Sequence, residues 1–148
     1  MANALYPKAK EKFLDALIDM PTDTIKIVLI DTGVYTYSST DEFFSAASSA
    51  VIGTAATLAS KTITNGVFDA ADVTFTSVTG ASVEALIIYK DTGSAATSPL
   101  ILYIDVVASG LPVTPNGNNI DVAASGLPVT PNGSNIDVQF NASGIFAL

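Results

Sequence analysis

Residues 82–105 read SVEALIIYKDTGSAATSPLILYID, and no other stretch limits the fold as much. Two short apolar runs, Leu86-Ile87-Ile88 and Leu100-Ile101-Leu102, flank a small polar link. A strand with one wet face would alternate apolar and polar residues. Continuous runs this short imply strands covered on both faces. Val83, Ile87, Ile88, Tyr89, Ile101, Tyr103 and Ile104 are β-branched or aromatic and suit a pleated surface. The link carries Asp91, Gly93 and Ser98 and ends in Pro99, whose missing N–H fits the mouth of a strand better than its middle. The stretch is therefore expected to be a hairpin at the core of a β-rich domain, with Leu86, Ile88, Ile101 and Tyr103 in that core.

The rest of the chain supplies elements to cover it. Residues 7–20 predict a helix: Pro7 suits the first helical position, and Phe13, Leu14, Leu17 and Ile18 form one apolar stripe. Its lysines lie at the start and its aspartates at the end, against the helix dipole, so packing must hold it. Pro21 stops it. Residues 24–30, TIKIVLI, predict a strand, and Tyr35 and Tyr37 an edge strand. Thr40 is placed to cap a short second helix running through 43–47. Asn65-Gly66 is a strong hairpin signal, because both residues tolerate positive φ. Residues 73–76 alternate, with Val73 and Phe75 facing in and Thr74 and Thr76 out. The expected fold is mainly β: an antiparallel β-sandwich or flattened barrel with one N-terminal helix and room for a short second one.

A 16-residue unit then occurs twice, over 108–123 and 124–139. Residues 108–122 read ASGLPVTPNGNNIDV, and 124–138 differ only in having Ser134 where the first copy has Asn118. Two copies make a tandem duplication, not a solenoid. The even period preserves strand parity downstream. Within a single β-rich domain spanning 1–148, the duplicated unit is expected to form a protruding arm or edge strands. Its apolar residues Leu111, Pro112, Val113, Leu127, Pro128 and Val129 are candidate partner contacts.

Composition narrows the function by exclusion. The 148 residues have a net charge of −8, no Cys and no His, and all six basic residues are lysine. Nucleic-acid binding needs a basic footprint that is missing. No apolar run reaches the ~20 residues that span a bilayer, and the N-terminus lacks the pattern of a secretory signal. Only 14% of residues are charged. Either the surface packs against copies of itself or a larger assembly, or a Ser/Thr-rich surface covers a sandwich. No His is present to serve as a general base for a nucleophilic Ser. Asp69 and Asp72 offer too few ligands for a calcium loop, and a solvated turn is the simpler reading. Asp121 and Asp137 recur only through the duplication. The sequons at Asn132 and Asn141 matter only in a secreted eukaryotic protein. No catalytic, cofactor-binding or metal-binding residue is assigned.

Several segments together carry a resemblance: ALYPKAKEKFL and DTIKIVLID near the start, LASKTITNGVFDAADVTFTSVTG, the hairpin EALIIYKDTGSAATSPLILYID, and LPVTPNG before a last strand ending IFAL. With these the chain resembles a family of small structural proteins of tailed bacteriophages. It departs from that pattern in having two LPVTPNG units, and Phe140 where a Trp often stands. The resemblance implies a non-enzymatic virion component without assigned catalytic residues or cofactor. The leading expectation is a capsid decoration (cement) protein, acting as a small oligomer such as a trimer against the major capsid protein or another virion protein. A tail, baseplate or fibre component that binds a host glycan is the alternative. A carboxylate-dependent hydrolase is the least favoured class.

Overall fold

The paired apolar runs lie inside the largest sheet among the described residues. The computed structural model describes residues 3–105, 122–123, 136–139 and 144–147. In chain order the strands are β1 (Ala4–Leu5), β2 (Ile25–Ile30), β3 (Val51–Thr57), β4 (Thr62–Thr64), β5 (Val67–Asp69), β6 (Val73–Phe75), β7 (Ala85–Lys90), β8 (Leu100–Ile104), β9 (Val122–Ala123), β10 (Ile136–Gln139) and β11 (Phe146–Ala147). The helix α1 (Pro7–Leu14) follows β1. A five-stranded antiparallel sheet has the order β1-β8-β7-β2-β3. Two three-stranded sheets, β6-β10-β9 and β11-β5-β4, complete the described strands. The fold is mainly β with one α-helix, as expected, but none of the described sheets closes into a barrel, which corrects the flattened-barrel form.

Strand register explains why the central runs are continuous. Ile27 pairs with Ile88 and Leu29 with Leu86, while Leu86 pairs with Ile104 and Ile88 with Leu102. These six side chains therefore share one face of the sheet. Ile30, Val28, Ala85, Ile87, Tyr89 and Tyr103 take the other. Every residue of β8, and all of β7 except Lys90, is buried. Both faces are thus covered, which is the condition that a non-alternating strand pattern reflects. β7 and β8 change register between Ile88 and Tyr89, so Ile101 is an extra residue on its strand.

The helix is shorter than its apolar periodicity predicts. It ends at Leu14, not Met20. The Leu17 N–H donates to the Lys12 carbonyl at 2.8 Å and the Ala16 N–H to the Phe13 carbonyl at 3.2 Å. These two bonds form a Schellman ending, which places Ala16 in the left-handed region at φ 55°. Glycine usually holds this position because it has no Cβ to clash there. An Ala16→Gly variant is therefore expected to gain about 1 kcal/mol of stability. Chemical denaturation measures it; a lowered midpoint would count against the strain.

The expected second helix is absent. Residues 44–46 and 48–50 instead form two single 3₁₀ turns, and the residue before the first is Phe43, not Thr40, with no side-chain cap. Tertiary bonds explain the difference. Phe44 N–H donates to the Ser98 carbonyl at 2.8 Å and Leu100 N–H to the Glu42 carbonyl at 2.9 Å, so this segment is pinned to the link of the central hairpin. The Phe44 ring stacks on Tyr89 with centroids 4.0 Å apart. Ser98, buried in that link, accepts from Thr92 N–H and donates to the Ser94 carbonyl.

Local turn chemistry holds elsewhere. Asn65 and Gly66 have φ of 52° and 77° and join β4 to β5 as a two-residue hairpin. In β6, Val73 and Phe75 are buried and Thr74 is exposed. The two copies of the duplicated unit meet at β9 and β10, where Val138 pairs with Val122 and Gln139 with Ala123. This pairing is parallel, unlike the others, and it aligns residues that occupy equivalent positions in the two copies. β10 also pairs antiparallel with β6, so the second copy takes the middle of that sheet and the first an outer position.

Candidate functional site

Leu86, Ile88 and Ile101 are fully buried, and Tyr103 nearly so. Leu86 and Ile88 face one side of the sheet and Tyr103 the other, so these residues belong to two packing layers. The candidate partner contacts Leu111, Pro112, Val113, Leu127, Pro128 and Val129 lie outside the described residues. Asp69 accepts a bond from the Ala70 N–H at 2.9 Å, as a turn carboxylate does. Among the described residues, no three carboxylates come together in a cluster able to hold a metal ion.

Tyr35 and Tyr37 form no edge strand, which corrects that expectation. They fold over the outer part of the central sheet instead. Tyr37 lies 5.0 Å from Tyr6 and 5.4 Å from Tyr103, ring centroid to centroid, and Tyr35 lies 6.4 Å from Tyr103. The Tyr35 hydroxyl donates to Asp41 Oδ2 at 2.8 Å, and the Tyr6 and Tyr35 hydroxyl oxygens are 3.0 Å apart. A hydroxyl has one proton, so Tyr6 must be the donor to Tyr35. The chain of donors therefore runs from Tyr6 through Tyr35 to Asp41. Burial, then the hydrogen bond to Tyr35, raises the Tyr6 hydroxyl far above the ordinary tyrosine value. Burial also pushes Tyr35 up to about 12. Such groups keep their protons at neutral pH, which suits a packing role and not general-base chemistry.

Charge is concentrated at the end of the sheet where β2 begins and β7 finishes. Lys26 Nζ lies 2.6 Å from Asp91 Oδ2, and Lys90 Nζ 2.8 Å from Asp23 Oδ2. Lys90 also donates to the Leu17 carbonyl at 2.9 Å, and Lys61 donates to the Asp23 carbonyl. The Lys26 ammonium, then the Gly93 N–H, hold the Asp91 carboxyl below the usual carboxylate range. These contacts tie the loop after α1 to the central hairpin.

The end of α1 and the start of that loop also display exposed apolar side chains. Leu14 is 88% exposed and Leu17 56%, although the apolar stripe predicts both as packed. Leu14 lies on the same exposed helix face as Lys10, and the early helix ending takes Leu17 off the apolar stripe, while Ile18 and Met20 remain buried. No glycine marks this ending, so the sequence gives no local signal for it. Leu14 and Leu17 lie beside the exposed Asp15 and Asp19 in the chain.

Compared with known proteins, the sequence matches no family model and no curated protein.

Proposed function

We propose that the chain is a non-enzymatic virion structural protein of a tailed bacteriophage, a capsid decoration (cement) protein that works as a small oligomer against the major capsid protein. The observation that carries this reading is the resemblance of the segments from ALYPKAKEKFL to the LPVTPNG units. The exposed Leu14 and Leu17 add a physical reason for association. Two large exposed apolar side chains gain free energy when a partner covers them. The mechanism is burial of surface across capsomer boundaries. A standard interface covers about 1,600 Å², and particle symmetry multiplies the contacts.

The test is to add purified protein to particles lacking it and count the copies bound. Saturation at a symmetric, high copy number supports the reading, and a solitary copy at the tail favours a tail component. Protein that stays monomeric by light scattering and does not bind such particles rules out the cement role. A Leu14→Glu, Leu17→Glu double variant is expected to shift the oligomer to monomer at micromolar concentration. Its thermal midpoint, read on the monomer, should remain close to that of the parent, because neither side chain is buried in the fold.

A further inference from the structure

We propose that the cleft between β1, α1 and residues 144–146 receives an extended peptide ending in a free carboxylate, added as a further strand along the outer edge of β1. This inference is independent of the virion reading. The cleft holds about 450 Å³ and is lined by Asn3, Leu5, Lys10, Leu102, Ile104 and Phe146, among others. That volume lies within the range of sites that bind small ligands or a few side chains. Its walls combine the apolar side chains of Leu5, Leu102, Ile104 and Phe146 with polar surface, and Lys10 is the single charged side chain among them.

Backbone geometry favours a peptide as the occupant. β1 is the outermost strand of the five-stranded sheet. Ala4 lies opposite Tyr103, and the Tyr6 N–H donates to the Ile101 carbonyl at 3.0 Å. In an antiparallel pair the residues that exchange hydrogen bonds alternate with those that do not. Ala4 and Tyr6 therefore face β8, and the N–H and C=O of Leu5 between them point outward along the free edge. Among the described residues no strand pairs there. An unpaired edge beside a cleft with apolar and polar walls is the arrangement that β-strand addition uses, with main-chain bonds for affinity and a pocket for side chains.

Charge sets the end and direction of the peptide. Of the six lysines, Lys8, Lys12, Lys26 and Lys90 pair with carboxylates, and Lys61 donates to the Asp23 carbonyl. Lys10 has no such partner among the described residues, and it lines the cleft. β1 runs toward α1, and Lys10 lies about one turn into that helix. A strand added parallel to β1 thus brings its C-terminal carboxylate to the Lys10 end. The antiparallel direction would bring an amine to an ammonium.

The experiment uses a five-residue valine- and leucine-rich peptide as the free acid and as the C-terminal amide. Binding is measured by calorimetry, and exchange of the Leu5 amide by NMR. The free acid should bind about ten-fold more tightly than the amide, the effect of roughly one charge-assisted hydrogen bond. Lys10→Met should abolish that preference, Lys10→Arg should retain it, and the bound acid should slow exchange at Leu5. Lys10 is exposed, so neither variant disturbs the core. Absence of binding, equal binding of acid and amide, or unchanged exchange at Leu5 would overturn the proposal. Octanoate binding as tightly as the peptide, with the same dependence on Lys10, would also overturn it and identify a pocket for small amphiphiles.

Discussion

Leu86→Ala is expected to lower the stability of the fold by about 2–5 kcal/mol, a large share of the ~5–15 kcal/mol typical of a domain. Leu86 is fully buried in the middle strand of the five-stranded sheet. Its neighbours across the strands are Leu29 on one side and Ile104 on the other, both buried and both on the same face. Alanine there removes three carbons and leaves a cavity whose walls belong to paired strands. Such walls cannot collapse without breaking ladder hydrogen bonds, which places the cost in the upper part of the range. Leu86→Met keeps the volume and should cost under about 1.5 kcal/mol. Urea denaturation of both variants measures the difference. Similar midpoints for alanine and methionine would mean that the site is not rigidly packed.

The features legible in the sequence are those decided by a few adjacent residues. The continuous runs at 86–88 and 100–102 mark strands buried on both faces, since runs this short and rich in Ile suit a strand better than a buried helix. Asn65-Gly66 marks its hairpin because the turn demands two positive φ values in succession. Val73-Thr74-Phe75 reports its own inward and outward sides. The helix end was not legible. Apolar spacing continues past Leu14 through Leu17 and Ile18, and the ending at Ala16 uses a residue with a side chain where glycine is the usual sign. The 43–47 segment departs from its local helical pattern for a different reason. Its backbone bonds go to Ser98 and from Leu100, partners more than fifty residues away that local propensity cannot anticipate.

Surface features were the least legible of all. The exposure of Leu17 follows from a helix end that apolar spacing does not show, and the cleft at Lys10 is assembled from three separate parts of the chain. The parallel register of Val122 with Val138 is a partial exception. Near-identical units present near-identical backbone and side-chain patterns, so equivalent positions can align once the chain returns in the same direction. The duplication predicts equivalence, while the direction of return is a property of the whole fold.

Raising the pH above about 10 is expected to destabilise the protein steeply, through the tyrosines. Burial, followed by the bonds and charges of Tyr35 and Asp41, raises Tyr6, and burial raises Tyr35 to about 12. Tyr89 and Tyr103 are raised too, chiefly by burial. In the unfolded chain each of these hydroxyls loses its proton near pH ~10. Between that value and the higher folded one, the unfolded state binds fewer protons than the native state. Stability then falls as pH rises. The contribution is fully present below pH ~10 and is lost through the window up to about 12 for Tyr35, and beyond it for Tyr6. Each proton held only in the native state steepens the decline by up to ~1.4 kcal/mol per pH unit. Tyr6→Phe separates this effect from general alkaline damage. It removes a donor to Tyr35 but leaves the bond from Tyr35 to Asp41 in place, so the cost at neutral pH is that of one neutral hydrogen bond, about 1 kcal/mol. The variant should start less stable and then lose stability less steeply between pH ~9 and ~12. Thermal midpoints across that range, with tyrosinate absorbance of the native protein, measure both effects. Parallel decline of parent and variant, or tyrosinate forming at Tyr6 near pH ~10 in the folded protein, would show that the hydroxyl chain from Tyr6 to Asp41 does not hold its protons in the core.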